Sequence, residues 1–174
     1  MTYIPDEDSF LIKKHAEILC RNKKCLDMGT GSGIIAKAMK KAGAKSILAA
    51  DIEPQNIKEV PFVQSNLFSS IKEKFDLIVF NPPYLPFDNI EGFENDTTGG
   101  KKGNETILKF LEKAKNHLTK GGFILLLYSS LSKPNIIRKK AGELGYKIKI
   151  LEKKRIFFEE LSIVLLKLTN HWIL

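Results

Sequence analysis

The sequence predicts an α/β fold on a mostly parallel sheet. Three observations carry this. Short apolar runs of strand type alternate with amphipathic stretches of helical period along the chain. The run Phe123 to Tyr128 is apolar throughout, the pattern of a strand covered on both faces. A glycine cluster, Gly29-Thr30-Gly31-Ser32-Gly33, lies where the first strand-like run meets a helix-like one.

The elements follow in order. Residues 8–20 read as a helix, with Asp8 or Ser9 as its cap and Leu11, His15, Ile18 and Leu19 on one face. Lys24 to Met28 is a short strand. Ile34, Ile35, Ala38, Met39 and Ala42 form the buried stripe of the next helix, which Gly43 ends. Ser46 to Ala50 is a second strand, finishing at Asp51. Val60 to Gln64 is a third and Phe75 to Phe80 a fourth. The segment from Ile52 to Glu59 is too short for an ordinary helix between strands. From Asn81 to about Gly103 runs a loop rich in Pro, Asn, Asp and Gly, a length that points to function or disorder. Ile107, Leu111, Ala114 and Leu118 then mark an amphipathic helix, stopped by Gly121-Gly122 before the strand Phe123 to Tyr128. Ser132 and Pro134 signal another helix start. Tyr146 to Leu151 and Leu161 to Leu168 are the last two strands.

With 174 residues, 43% hydrophobic and 28% charged, the chain reads as one domain over 1–174, with 1–20 as an N-terminal helical extension. The longest apolar runs are too short to span a bilayer, and the acidic start lacks an apolar signal region; a cytoplasmic protein with no membrane partner is expected. Cys20 and Cys25 read as reduced structural thiols and make no zinc site, so no metal is expected. His15, His117 and His171 are scattered and read as structural. The net charge of +8 is uneven: residues 1–100 carry 12 basic and 14 acidic side chains, residues 101–174 carry 16 and 6. Such a basic half suits either a solvated lysine-rich surface or an acidic partner. Only Arg21, Arg138 and Arg155 are arginines, the better residue for base and phosphate recognition, so nucleic acid is the lesser expectation.

Two motifs carry chemistry. In Leu26-Asp27-Met28-Gly29-Thr30-Gly31-Ser32-Gly33, glycines at a strand-to-helix turn let the backbone approach a ligand. The third glycine falls one place early for a dinucleotide site, and Asp27 would be unwelcome beside a pyrophosphate. A carboxylate there suits a cationic ligand, such as the amino group of a methionine moiety. Asp51, ending the second strand about 20 residues on, can accept from two ribose hydroxyls. The fourth strand ends in Asn81-Pro82-Pro83-Tyr84. An amide or aryl amine nitrogen is a poor nucleophile because its lone pair is delocalised. The Asn81 side-chain oxygen can accept one of its N–H groups and the Pro82 carbonyl the other, favouring tetrahedral character during attack. Tyr84 can stack on the planar group.

Asp27, Gly29, Gly31, Gly33 and Asp51 resemble the nucleotide motif of class I methyltransferases that use S-adenosylmethionine (SAM), which implies a Rossmann-like, seven-stranded sheet with helices on both faces. Asn81-Pro82-Pro83-Tyr84 looks like the signature shared by methyltransferases of adenine N6, guanine N2 and glutamine N5. Tyr3-Ile4-Pro5-Asp6-Glu7-Asp8-Ser9-Phe10-Leu11 and Gly99-Gly100-Lys101-Lys102-Gly103-Asn104-Glu105 resemble stretches of the HemK-like release-factor glutamine methyltransferases, in their short archaeal and eukaryotic branch. The resemblance implies Ser9, Asn66, Leu67 and Asn81 as further cofactor contacts. Asn66 stands where the family has an aspartate, and Thr97 and Thr98 where it has a tryptophan. The resemblance also implies a substrate, the glutamine of the Gly-Gly-Gln loop of a class I release factor, and a small zinc-binding activator that adds a strand beside the 60–64 edge. The bacterial branch's added N-terminal helical domain is not expected, since only about 20 residues precede the first strand. A nucleic-acid adenine-N6 or guanine-N2 methyltransferase is the alternative.

Overall fold

The computed structural model describes residues 7–83, 103–156 and 159–169. Its elements are α1 (Glu7–Leu19), β1 (Lys24–Met28), α2 (Ile34–Lys41), β2 (Ser46–Asp51), β3 (Phe62–Gln64), β4 (Phe75–Phe80), α3 (Glu105–Ala114), β5 (Leu118–Ser129), α4 (Pro134–Glu143), β6 (Tyr146–Ile156) and β7 (Glu159–Leu168). The seven strands form one sheet in the order β3-β2-β1-β4-β5-β7-β6. Pairings from β3 through β5 are parallel; β7 runs antiparallel between β5 and β6. The strand order reverses between β1 and β4, and crevices of open α/β sheets form at such a switch point.

Helices cover both faces, as the side-chain alternation of the strands requires. On one face Ile12 and Ala16 of α1 and Ile35, Ala36 and Met39 of α2 pack with Leu77, Val79, Leu125 and Leu127. On the other, Ile107, Phe110 and Leu111 of α3 and Ile137 and Ala141 of α4 pack with Leu26, Ile78, Phe80, Leu126 and Tyr128. Adjacent residues of β4 and β5 thus enter opposite cores, so nearly every side chain of the central strands is apolar.

The structure corrects several boundaries. Of the expected face of α1, Leu11 is buried and Leu19 packs against the core, but Ile18 is 70% exposed; the most buried side chains are Ile12 and Ala16, followed by Cys20 just past the helix. Neighbouring i, i+4 rows are hard to rank by composition alone when both hold apolar residues. Leu118 belongs to β5 rather than to the preceding helix, and Gly121-Gly122 form a bulge inside that strand. From Phe75 to Leu77 β4 advances two residues while its partner advances five, from Leu118 to Phe123. Gly121 takes a positive φ of 85° in this excursion. A Cβ on Gly122 would lie 2.8 Å from the Phe75 carbonyl oxygen, so only glycine lets the bulged backbone close onto β4. β3 is shorter than the expected 60–64, with Val60 turned into the core. The β6–β7 ribbon is longer than expected at its turn end.

Candidate active site

The C-terminal ends of β1, β2 and β4 bring the two motifs together. Met28 pairs with Phe80, which sets Gly29 opposite Asn81. A Cβ on Gly29 would lie 3.4 Å from the Phe80 ring and 3.9 Å from the Asn81 carbonyl oxygen. Gly29, Gly31 and Gly33 have φ of 64°, 51° and 77°, all left-handed, so the loop turns three times where a side chain would be strained. Gly33 also faces Ile57 at 3.0 Å from an ideal Cβ, which presses the 52–59 segment against the start of α2.

Asp27 is almost fully buried at the base of this loop. Its Oδ2 accepts the Thr30 hydroxyl at 2.7 Å and the Ala36 amide at 3.0 Å. Because Gly33, the N-cap of α2, has no side chain, Asp27 serves as a remote cap, held also by the positive end of the helix. Its Oδ1 is buried with no partner. Burial, with a smaller push from the nearby Asp51, raises the carboxyl to about 7 against the lowering effect of the Thr30 and Ala36 hydrogen bonds. A carboxylate with one oxygen satisfied and one orphaned fits a cationic ligand group. Asp51 is half-exposed at the end of β2. Its Oδ2 accepts from Gly31 N at 2.9 Å and its Oδ1 from Glu53 N at 3.1 Å, which leaves a second lone pair on each oxygen for hydroxyl donors.

Beyond β3, Leu67 adopts a left-handed φ of 51°, uncommon for a branched aliphatic residue. The buried Ser65 braces this turn: its hydroxyl donates to Leu67 O at 2.7 Å and accepts from Ser70 N at 3.0 Å. The Asn66 side chain projects to solvent at the same turn.

Asn81 is half-buried and Pro82 buried; Tyr84 lies outside the described residues, as do residues 99–102 of the second loop motif. The Asn81 Nδ2 donates to Asp8 Oδ2 at 3.2 Å and approaches Ser9 Oγ at 3.4 Å, while its Oδ1 is buried with no partner. Ser9 therefore stands against Asn81. Asp8, Thr30 and Ser65 are site residues that sequence reasoning missed. Their signals are weak: the acidic start of α1, a threonine between glycines, and a serine after a strand. Two further buried groups lack partners, Nδ2 of Asn104 and the Tyr128 hydroxyl. α3 connects the parallel β4 and β5, so its first residues lie at the sheet edge that holds Asn81. Asn104 is the N-cap of α3, yet its side chain makes no capping bond. No described helix is long and apolar enough to cross a membrane.

Comparison with known proteins agrees with this geometry. The family model described as the methyltransferase small domain matches residues 5–152. A Methanocaldococcus jannaschii protein, provisionally named a protein N5-glutamine methyltransferase, is 36% identical over 93% of this chain and 89% of its own length. The release factor glutamine methyltransferase of Lactococcus lactis is 33% identical over 63% of this chain; the match spans 50% of that enzyme. One chain of the E. cuniculi Mtq2–Trm112 complex, which is responsible for methylation of the termination factor eRF1, superposes with a TM-score of 0.80 at 25% identity, covering 96% of this chain and 98% of that one. With the glycine loop and the Asn81 tetrapeptide at adjoining strand ends, the chain belongs to the methyltransferase small-domain family, among its HemK-like glutamine methyltransferases.

Proposed function

We propose that this protein transfers a methyl group from SAM to the side-chain amide nitrogen of a glutamine in a protein, the Gly-Gly-Gln loop of a class I peptide chain release factor. The observation that carries the reading is the buried, unpartnered Oδ1 of Asn81 beside the glycine loop. A primary amide offers two N–H groups, and an acceptor oxygen fixed at a crevice wall takes one of them. The carbonyl of Pro82 takes the other, in a direction that proline's fixed φ constrains. Both contacts strengthen as the nitrogen turns tetrahedral, which is where they lower the barrier. By the family resemblance, Tyr84 would stack on the planar group.

The methyl donor fits the residues present. Asp27 Oδ1 is an orphaned acceptor that would take its ammonium group, Asp51 keeps lone pairs that would take its ribose hydroxyls, and the left-handed glycines would let the loop approach its methionine chain. By the family resemblance, Asn66 and Leu67 would flank its base. When bound, SAM supplies a methyl group on a sulfonium, electrophilic enough for direct transfer. The chain's residues supply orientation and the exclusion of water. No carboxylate or histidine is assigned as base, because the methylated nitrogen can lose its proton to solvent.

Relatives support the substrate class: one is named for glutamine N5, another for release factors. A solved relative is a complex of two proteins, Mtq2 and Trm112; by the family resemblance, a small zinc-binding subunit would add a strand at the β3 edge. The test incubates the chain and that subunit with methyl-labelled SAM, a class I release factor and total tRNA. Label should enter the release factor and vanish when its Gly-Gly-Gln glutamine is replaced by alanine. Label in tRNA, or in the alanine variant, would refute the reading.

A further inference from the structure

The carboxamide of Asn81 has a donor end and an acceptor end of nearly the same shape, and the two can exchange by rotation about one bond. Only the oxygen can receive an acceptor N–H; the NH2 group in its place would repel it. Something must therefore hold the amide one way round. In the structure that is the first turn of α1, 72 and 73 residues away in sequence. Asp8 and Ser9 are 5% and 2% exposed. Asp8 Oδ2 lies 3.2 Å from Asn81 Nδ2, and Asp8 Oδ1 accepts from Ser9 N at 2.6 Å. A carboxylate so placed has no hydrogen to give. Rotating Asn81 would set its carbonyl oxygen against that carboxylate, so the NH2 must face Asp8 and the oxygen must face away. Oδ1 is then left buried with no protein partner, the state expected of an acceptor reserved for a ligand. The same contact draws the amide nitrogen's protons toward negative charge and, through amide resonance, enriches Oδ1 in electron density.

We propose that Asp8, assisted by Ser9, is a positioning residue for methyl transfer: it locks the Asn81 carboxamide with its oxygen toward the methyl acceptor and strengthens that oxygen as an acceptor. This rests on the reading that Asn81 Oδ1 receives the acceptor nitrogen. It gives Ser9 a role different from the cofactor contact expected of it, and it makes α1 part of the active site.

The test is steady-state kinetics of the full chain with SAM and a glutamine-bearing release factor, on Asp8→Asn, Ser9→Ala, Asn81→Ala and the Asp8→Asn/Asn81→Ala double variant. Asp8→Asn keeps shape but can donate, so Asn81 is free to turn. Its kcat should fall roughly ten- to hundred-fold, the range for loss of an oriented polar contact. Its SAM dissociation constant, read by calorimetry, should stay within about two-fold, which also shows that it folds. Asp8→Glu, which restores the carboxylate, should recover part of the loss. Ser9→Ala removes only the 3.4 Å contact and should lose less than Asp8→Asn. In the Asn81→Ala background Asp8→Asn should cost nothing more, since there is no amide left to orient. An equal loss in both backgrounds would assign Asp8 to the stability of α1 and overturn the proposal. So would an undiminished kcat in Asp8→Asn beside an impaired Asn81→Ala. Full kcat in Asn81→Ala would instead overturn the acceptor reading, and the proposal with it.

Discussion

Around the glycine loop the Oδ1 atoms of Asn81 and Asp27 are buried without a hydrogen-bond partner, and each residue carries a prediction. Asn81→Ala should leave the SAM dissociation constant nearly unchanged and cut kcat by roughly 100-fold or more, as for a contact made chiefly in the transition state. Single-turnover and binding assays on the same preparation check both halves. Burial pushes the Asp27 carboxyl from the ordinary 3.8 up to about 7. The native state therefore holds a proton that the unfolded chain has lost between those values. Stability from this group is present below pH 4 and drains away as the pH rises through about 7. Asp27→Asn should remove that slope. The variant's unfolding free energy relative to the parent, from chemical denaturation, should rise from pH 5 to pH 8 by on the order of 3 kcal/mol at most. SAM affinity of the parent should climb across the same interval, because a cation favours the ionised carboxylate. A flat parent-minus-variant difference would mean that Asp27 is ionised in the empty protein.

At the scale of elements, the instructive one is β5. Its glycine pair looks like a helix stop, because Gly-Gly after an amphipathic stretch normally is one. In the fold the helix ends earlier, in a 3-10 turn over Lys115–His117, and the glycines let β5 bulge against β4. Two substitutions separate these meanings. Gly122→Ala puts a methyl 2.8 Å from the Phe75 carbonyl oxygen and should cost roughly 1–3 kcal/mol, measured by chemical denaturation. Gly142→Ala, in α4 with nothing within 4 Å, should stabilise by roughly 0.5–1 kcal/mol. Equal effects at the two sites would show that the bulge tolerates a side chain. The bulge also positions Thr119, whose hydroxyl donates to Asp76 Oδ1 at 2.6 Å and ties the start of β5 to β4.

Over the whole molecule, the two edges of the sheet differ. β6 is lined with exposed Lys147, Lys149, Lys153, Lys154 and Arg155, a charged edge that resists pairing and that accounts for part of the basic surplus of the second half. β3 has no such guard. Pro61 O accepts from Ala49 N and Ser65 N donates to Asp51 O, so residues 61, 63 and 65 point their backbone groups at β2. Alternation then turns the N–H and C=O of Phe62 and Gln64 outward. The missing N–H of Pro61 thus faces inward and does not blunt the edge, as Pro61 could have done from the other register. The apolar Phe62 and Val63 are half-buried against the two cores, so the stickiness of this edge lies in its backbone. Gln64→Pro should remove one outward donor while leaving the β2 pairing intact. Binding of the proposed activator subunit, followed by pull-down, should drop at least ten-fold, with SAM affinity kept. Unchanged capture would place the subunit elsewhere.

Periodicity in the sequence determined the alternation of strands and helices, and glycines at a strand end determined where a ligand loop had to be. The Asn-Pro-Pro-Tyr stretch pointed to methyl transfer onto a planar nitrogen without choosing among adenine, guanine and glutamine acceptors. Those signals are local: each rests on residues within one turn or one strand. What only the tertiary structure decided is everything joined across distance. It set β7 between β5 and β6, turned Ile12 and Ala16 of α1 inward and Ile18 outward, and folded Gly121-Gly122 into a strand. It laid Asp8 against Asn81 and left Asp27 capping α2 from a neighbouring strand. Each of these depends on which surfaces pack together once the apolar faces of all the elements must be buried at the same time, and no short window of sequence carries that information.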